Sequence, residues 1–271
     1  LPKNINFDQF FGLKGCKTTA NMMFVATKYM VGIASFLSGN PFLAYELHKK
    51  LEIDLESYKT IDDDIRKQHI YTKLDLKNID IIKKKLPFIK SNECFVIAKA
   101  YYENNNLENS KKYVLISLNN NPKNYSALLL KAILDFKLDN NIEGALSTIK
   151  KARKSKGVHG AWRYSQAFLL FWHGKKQEAW RTCRKIAENN YAGEELTIKE
   201  VEQFTLQCIK ENPNKPELFF WLGYLHYKKT QNISLAYTYL MNFQEKFNDD
   251  DYLTKKANNY LSNIEKQMGI V

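Results

Sequence analysis

The sequence has few of the residues that interrupt regular structure. Its 271 residues include only 11 glycines and 6 prolines, which is sparse against average usage. A chain of many short strands needs more turn residues than this, so an all-β fold is disfavoured. Hydrophobic residues make up 44% of the sequence, which is enough for a substantial core. These proportions favour a mostly helical protein.

Cysteine is scarce and scattered. The four cysteines are Cys16, Cys94, Cys183 and Cys208, and no two are spaced as a CxxC pair. A zinc cluster is therefore not expected, and the scatter is typical of reduced, buried thiols in a cytoplasmic protein. No signal peptide opens the sequence, and no apolar run approaches the roughly 18 residues that a membrane span needs.

The sequence also lacks the residue patterns of catalysis and metal binding. Its five histidines include no i, i+4 pair and no HExxH motif. Cys183 follows His173 across an expected turn, but no glycine-rich elbow supports a nucleophile there. Gly12–Lys17 lacks the spacing of a phosphate-binding loop, and the carboxylates at 62–64 are better explained by the dipole at the start of a helix. We predict no enzyme activity, no metal and no cofactor.

What the sequence does contain is a repeat of small residues at fixed spacing. Ala167, Gly174 and Ala179 are separated by seven and then five residues. The same intervals recur in two further sets, which are Gly32, Gly39 and Ala44, and Ala98, Asn105 and Ser110. Ala132–Ala145 and Gly223–Ala236 span thirteen residues, which indicates one extra residue in the turn. Antiparallel helices need small residues where their axes cross, so each set predicts a helix hairpin.

The hairpins recur with a period close to that of a known repeat family. Ala98 and Ala132 are 34 residues apart, and Ala132 and Ala167 are 35 apart. The stretch PELFFWLGYLHYKKTQNISLAYTYL carries Trp221–Gly223 and Ala236 in the order that this family uses. The chain thus resembles the tetratricopeptide repeat (TPR) family, whose period is about 34 residues. The resemblance implies an all-α, TPR-like α-solenoid of stacked antiparallel hairpins.

Four segments depart from the period. Residues 1–20 show no repeat and are interpreted as a leading segment or the tail of a missing upstream domain. A TPR-like repeat domain is predicted over 21–271. We expect the array to be degenerate at about 52–90 and 190–211, and we expect a terminal capping helix at about 251–268.

By resemblance to the family, three positions of each first helix face a concave surface. Eleven of the fifteen residues at these positions are aromatic, against 13% of the whole sequence. Either the rings form a binding groove, or they pack between neighbouring hairpins. The predicted partner-binding residues are Tyr29, Phe36, Phe95, Lys99, Tyr102, Phe136, Tyr164, Phe168, Phe171, Phe220, Tyr224 and Tyr227, and the remaining aliphatic positions are Ile33, Leu129 and Ile133.

One function of the family is disfavoured by the same positions. TPR domains that hold chaperone C-termini clamp a carboxylate with several basic and amide side chains. Only Lys99 is basic on this predicted surface. A more apolar or aromatic ligand segment fits better.

Positive charge is in excess. The chain has 41 lysines and arginines against 29 acidic residues, a net charge of +12, which favours an acidic partner. The stretches 150–163 and 174–185 are expected to lie near one another on adjacent hairpins. Such an edge either contacts phosphates of nucleic acid or is a solvated helix face that opposes the helix dipole. The predicted basic edge is Lys150, Lys151, Arg153, Lys154, Arg163, Lys175, Lys176, Arg181 and Arg184.

These observations favour a non-catalytic scaffold or sensing module of a larger cytoplasmic protein. We predict that it binds a protein or peptide segment through the concave aromatic face, with the basic edge steering an acidic partner. The alternative hypothesis is a helical repeat that binds nucleic acid through the basic edge.

Overall fold

The computed structural model of the chain describes residues 14–57, 73–155, 160–190, 194–247 and 252–269. The regular structure in these ranges is helical, with twelve α-helices and one π-helical turn. The helices are α1 (Lys14–Leu37), α2 (Pro41–Ser57), α3 (Lys73–Glu103), α4 (Leu107–Asn120), α5 (Tyr125–Asp139), α6 (Ile142–Lys154), α7 (Ala161–Trp172), α8 (Lys176–Ala187), α9 (Glu194–Glu211), α10 (Glu217–Leu225), α11 (Ile233–Lys246) and α12 (Tyr252–Met268).

Sequential helices pair into hairpins. α1 packs on α2, α3 on α4, α7 on α8 and α10 on α11. In the pair α5 and α6, Thr148 Oγ1 donates a hydrogen bond of 3.4 Å to Asp135 Oδ2. The predicted all-α class with paired helix hairpins is confirmed.

The chain divides into two compact units, residues 1–131 and residues 132–271. Unit 1 contains α1 to α4 and the start of α5, and its core includes Val25, Leu51 and Leu86. Unit 2 contains the rest of α5 and the helices up to α12. Within unit 2, α7 packs against α6, α8, α9 and α10, so α7 is the central helix of that unit.

The segments that depart from the repeat are only partly described. Residues 1–13, in the predicted leading segment, and 58–72, in the first predicted degenerate stretch, lie outside the described residues. α3 begins in the second half of that stretch and continues without a break to Glu103, so the same helix carries Ala98. α9 fills most of the second degenerate stretch, and α12 lies where a terminal cap is expected. The division into a leading segment and one repeat domain stays a prediction.

Small residues lie where the helices of a hairpin cross. A Cβ atom on Gly32 would come within 2.4 Å of His48 Nε2 in α2, and one on Gly223 within 2.6 Å of Leu240 Cγ in α11. Any larger side chain at either position would displace its neighbour. The alanines at the other predicted crossings are buried, and they are Ala44, Ala98, Ala132, Ala145, Ala167, Ala179 and Ala236.

Five hairpin turns share one residue with a left-handed backbone. At Gly39, Asn105 and Gly174 this residue has φ of 85°, 57° and 75°, and it follows the small crossing residue by seven positions. At Asn140 and Gln231 it has φ of 46° and 53° and follows by eight. Glycine and asparagine adopt this conformation most readily, which explains their place at the helix C-termini.

In the two hairpins that are one residue longer than the others, the extra residue lies in the last turn of the first helix. In the two longer hairpins the backbone N–H of Asn141 donates to Asp135 (3.0 Å), and that of Asn232 donates to His226 (3.1 Å). Both bonds reach six residues back, whereas the equivalent bonds of the three shorter hairpins reach five. In the last hairpin the added residue produces the π-helical turn His226–Thr230.

Asparagine caps the N-termini of five of the described helices. Its side-chain oxygen accepts a hydrogen bond of 2.8 to 3.2 Å from the backbone N–H three residues further on, and this satisfies a donor that the helix leaves unpaired. In four of the five, the asparagine directly follows the left-handed residue. α8 differs, because Lys175 stands at this position and makes no side-chain cap. The capping residues are Asn40, Asn106, Asn124, Asn141 and Asn232.

Candidate binding surface

The predicted concave residues of unit 1 are partly accessible. Tyr29, Phe36, Phe95 and Tyr102 are half-buried, and Lys99 is exposed. These four rings therefore keep part of their surface for contacts outside the unit. The aliphatic positions of the predicted face are half-buried as well, and they are Ile33, Leu129 and Ile133.

In unit 2 most of the predicted concave residues lie in the interior. α9 and α10 cover two of these residues: the Phe204 ring lies 4.9 Å from the Phe168 ring, and the Trp221 ring lies 5.9 Å from the Phe171 ring. Tyr227 stays half-buried. Core packing therefore accounts for six of the predicted rings, each at most 7% exposed, and they are Phe136, Tyr164, Phe168, Phe171, Phe220 and Tyr224.

Partly buried polar contacts hold α9 in place, and sequence reasoning did not find them. Glu194 accepts a hydrogen bond from the Tyr164 hydroxyl and forms an ion pair with Lys229 at 2.9 Å. Glu202 lies 3.1 Å from the Nε2 atom of His226. These partners are 24 to 35 residues apart in the chain, so no local pattern marks them.

The structure divides the residues of the predicted basic edge into three groups. Lys176 contacts Glu217, with a nitrogen–oxygen distance of 3.7 Å, and lies 4.2 Å from the centre of the Phe247 ring. Four of the lysines are exposed, namely Lys150, Lys151, Lys154 and Lys175. The remaining four residues line two neighbouring cavities of unit 2, and they are Arg153, Arg163, Arg181 and Arg184.

The first cavity has a volume of about 160 Å³ and is lined by residues of α6, α7 and α8. On both α7 and α8 the lining residues are spaced i, i+1, i+4, which places them on one face of each helix. Four are cations and none of the seven is acidic, so the potential inside is positive. The lining residues are Arg153, Trp162, Arg163, Gln166, Arg181, Thr182 and Lys185.

Trp162 contacts two of these cations. The guanidinium carbon of Arg163 lies 4.5 Å from the centre of the indole ring, and that of Arg153 lies 5.6 Å from it. Each such contact contributes about 0.5–1 kcal/mol at an exposed site. The ring therefore restricts both guanidinium groups before any ligand arrives, which lowers the entropy cost of binding.

The second cavity has a volume of about 440 Å³ and is lined by residues of α8 and α12. Lys256 Nζ lies 5.6 Å from the centre of the Trp180 ring and 5.7 Å from that of Tyr252. Arg181 lines both cavities, so they adjoin. The lining residues are Gln177, Trp180, Arg181, Arg184, Tyr252 and Lys256. We call the residues of both cavities the basic surface.

Sequence reasoning found only part of the basic surface. It named the four arginines, but not the cations Lys185 and Lys256 or the rings Trp162, Trp180 and Tyr252. Lys185 lies at the end of a basic stretch that the sequence does mark. Lys256 and Tyr252 lie on α12, which the repeat pattern marks only as an end cap.

Three cysteines, Cys94, Cys183 and Cys208, lie in the interior. Burial raises the pKa of the Cys94 and Cys208 thiols to about 12, and that of Cys183 well above its ordinary value. A thiol that keeps its proton is a poor nucleophile. His173 is exposed at the C-terminus of α7, and its backbone N–H donates to Leu169 O at 3.0 Å. The helix end thus accounts for the place of this histidine.

No helix in the described part of the chain is both long and apolar enough to cross a bilayer. The described side chains also include no group of three histidine, cysteine or carboxylate residues arranged to hold a metal ion.

The fold defines an all-α protein of repeated helix hairpins. No protein-family model matches the chain, and no curated protein matches it. Among solved structures, the chain is similar to pilF of Pseudomonas aeruginosa. The two share 13% sequence identity, with a TM-score of 0.35, and the match covers 66% of this chain and 90% of that chain.

Proposed function

We propose that this chain is a non-catalytic binding module that captures an acidic segment of a partner protein on the basic surface of unit 2. The observation that carries the proposal is the set of six cations that line two adjoining cavities with no acidic residue among the lining side chains. Like charges held this close repel one another, and an anionic ligand relieves that repulsion.

The aromatic rings of the basic surface favour a protein segment over single-stranded nucleic acid. Nucleic-acid-binding surfaces of that kind need open ring faces on which bases stack. The Trp162 ring is already in contact with Arg153 and Arg163, and Trp180 is only 8% exposed and contacts Lys256. What the surface offers is therefore charge and hydrogen-bond donors, the means by which arginine clusters recognise acidic motifs.

The second cavity adds an apolar wall. Trp180 and Tyr252 meet edge to face, with ring centres 6.5 Å apart, beside the cations Arg184 and Lys256. Tyr252 is 37% exposed, so a large apolar side chain of the ligand would cover this ring while neighbouring carboxylates meet the cations. The half-buried rings of unit 1 stay predicted contacts and are independent of this surface.

The proposal is tested with a fluorescent peptide that is rich in glutamate and contains one phenylalanine. Fluorescence anisotropy would measure its affinity for the whole chain at low and at physiological salt. Arg181→Glu reverses the charge shared by both cavities. We expect it to weaken binding about tenfold, which corresponds to about 1.4 kcal/mol.

The matched control is Lys50→Glu, which makes the same charge change at an exposed position of α2 in unit 1. Circular dichroism would verify that both variants fold. Equal affinities for the two variants would overturn the proposal. Tighter binding of single-stranded RNA or DNA than of the peptide would favour the nucleic-acid alternative instead.

A further inference from the structure

We infer that the first cavity binds a phosphate monoester, carried by a phosphorylated side chain of the partner protein. The inference rests on the proposed function and narrows it, because it names the group that one cavity accepts.

The charge of the cavity exceeds what one carboxylate balances. Four cations line it, and among its seven lining residues no acid offsets them. A carboxylate brings one negative charge, whereas a phosphate monoester brings about 1.5 to 2 at neutral pH and three acceptor oxygens. The doubly charged group is therefore the better electrostatic match.

The donors are of the type that suits phosphate. Three of the four cations are Arg153, Arg163 and Arg181, and a guanidinium group offers paired N–H donors that match two oxygens of one phosphate. The Gln166 amide adds uncharged donors. Thr182 adds none, because its hydroxyl already donates to the Glu178 carbonyl at 3.0 Å.

The arginines come from three successive helices, so they approach the cavity from different sides. Arg153 lies on α6, Arg163 on α7 and Arg181 on α8. A tetrahedral group with three free oxygens accepts bonds from several directions, while a planar carboxylate accepts them close to one plane. This arrangement again favours phosphate.

The size of the cavity favours a terminal phosphate over a nucleic-acid backbone. Its volume of about 160 Å³ accommodates a single small group. A phosphodiester carries chain on both sides and needs an extended positive groove that follows it. A phosphorylated side chain enters from one side, so it can reach into the cavity while its peptide stays on the surface.

The experiment compares three peptides that differ at one position, which holds serine, glutamate or phosphoserine within the same acidic sequence. Affinities for the whole chain are measured by fluorescence anisotropy at physiological salt. We expect the phosphoserine peptide to bind about tenfold more tightly than the glutamate peptide, since the phosphate makes additional charge-assisted hydrogen bonds.

Two variants locate the effect. Arg153→Gln and Lys185→Gln each remove one cation from the first cavity only, and both should reduce the preference for phosphoserine over glutamate to less than about threefold. The matched control is Arg184→Gln, which removes one cation from the second cavity only. It should weaken all three peptides while leaving the preference for phosphoserine unchanged.

The outcomes separate this inference from the proposed function. Equal binding of the glutamate and phosphoserine peptides would overturn the phosphate site and leave the acidic-segment proposal standing. A preference that Arg184→Gln abolishes and Arg153→Gln spares would also overturn it. Failure of all three peptides to bind would overturn both proposals. An oligonucleotide that binds more tightly than the peptides, and whose binding is abolished by Arg153→Gln and by Lys185→Gln, would also overturn both.

Discussion

Gly32 and His48 are in direct contact across the hairpin of α1 and α2. A Cβ atom on Gly32 would lie 2.4 Å from His48 Nε2. The imidazole is fixed there from both sides: Nε2 lies 3.1 Å from the Tyr29 carbonyl oxygen, and Nδ1 lies 2.6 Å from Glu93 Oε1. Because a carbonyl oxygen only accepts, Nε2 carries a hydrogen and donates it. The ring position therefore requires glycine at residue 32.

Gly32→Ala tests this contact. Helix propensity alone predicts that alanine stabilises α1 by about 1 kcal/mol, whereas the overlap with His48 predicts a loss of about 1–3 kcal/mol. We expect destabilisation, measured by urea unfolding. Ala34→Gly, at an exposed position of the same helix, measures the propensity contribution separately. If Gly32→Ala raises the free energy of unfolding by as much as Ala34→Gly lowers it, the His48 ring does not constrain residue 32.

The buried pair of His48 and Glu93 gives a second prediction. Both side chains are fully buried, and Glu93 Oε2 has no hydrogen-bond partner among the described residues. Glu93→Ala removes the partner of the buried Nδ1 atom of His48, and we expect it to lower the free energy of unfolding by about 3 kcal/mol. Glu93→Gln keeps a hydrogen-bonding group of the same shape and should cost less.

The control for this pair is Glu103→Ala, which removes an exposed partner of Lys99 near the end of the same helix. An exposed ion pair contributes at most about 1 kcal/mol. Chemical denaturation of the three variants gives the comparison. A loss in Glu93→Ala no larger than in Glu103→Ala would contradict a structural role for the buried pair.

The turn before α8 offers a stabilising change. Lys175 has φ of −80° and ψ of 62°, close to the values of −89° and 78° at the capping residue Asn141. Lys175→Asn places a capping side chain on a backbone that already has the required conformation, and it removes a cation from a helix N-terminus. We expect a gain of about 0.5–1 kcal/mol, seen as a higher melting temperature.

Lys175→Gln separates the two contributions to that gain. Glutamine removes the positive charge but is a poor N-terminal cap. If the asparagine and glutamine variants melt at the same temperature, the charge alone explains the effect, and the cap contributes nothing.

How far the sequence predicts the fold depends on how local the deciding contacts are. The spacing of Ala167, Gly174 and Ala179 reflects a crossing and a turn that lie within one hairpin, so a short pattern reveals them. The burial of Phe168 depends on Phe204, whose ring lies 4.9 Å away. That contact arises because α9 packs on α7, which the period of the repeat does not encode.

The basic surface likewise depends on contacts between residues that are far apart in the chain. Adjacent hairpins place Arg153, Arg163 and Arg181 around one cavity, and all three lie in or at the end of the two basic stretches that the sequence marks. Lys176 belongs to the same stretch, but its partners are Glu217 and the Phe247 ring. Those residues come from later helices, and charge patterning along the chain gives no sign of them.

The buried thiols predict how stability depends on pH. In the unfolded chain a cysteine thiol ionises at about 8.5, whereas burial raises the pKa of Cys94 and Cys208 to about 12 in the folded protein. The unfolded state then loses protons that the folded state keeps, so the stabilisation is complete below about pH 8.5 and falls as pH rises towards about 12. Burial likewise raises the pKa of Tyr45 to about 12, which adds to the loss.

Urea unfolding at pH 7 and at pH 10 gives the comparison, and we expect the lower midpoint at pH 10. In a Cys16→Ser variant, a thiol reagent at neutral pH should label the remaining cysteines slowly until the chain unfolds. Rapid labelling of Cys94, Cys183 or Cys208 in the folded protein would contradict their burial.

The junction of a left-handed residue and a capping asparagine marks where four of the five described hairpins bend. The dipeptides Gly39–Asn40, Asn105–Asn106, Asn140–Asn141 and Gln231–Asn232 all have this form. The distance from the crossing residue to the junction varies by one, yet both longer hairpins close by a hydrogen bond that reaches one residue further. Such hairpins tolerate a change in length without losing their crossing. Distant relatives of this chain are therefore better sought with a pattern of a small crossing residue and a turn junction, separated by a variable number of residues, than with a repeat of fixed 34-residue length.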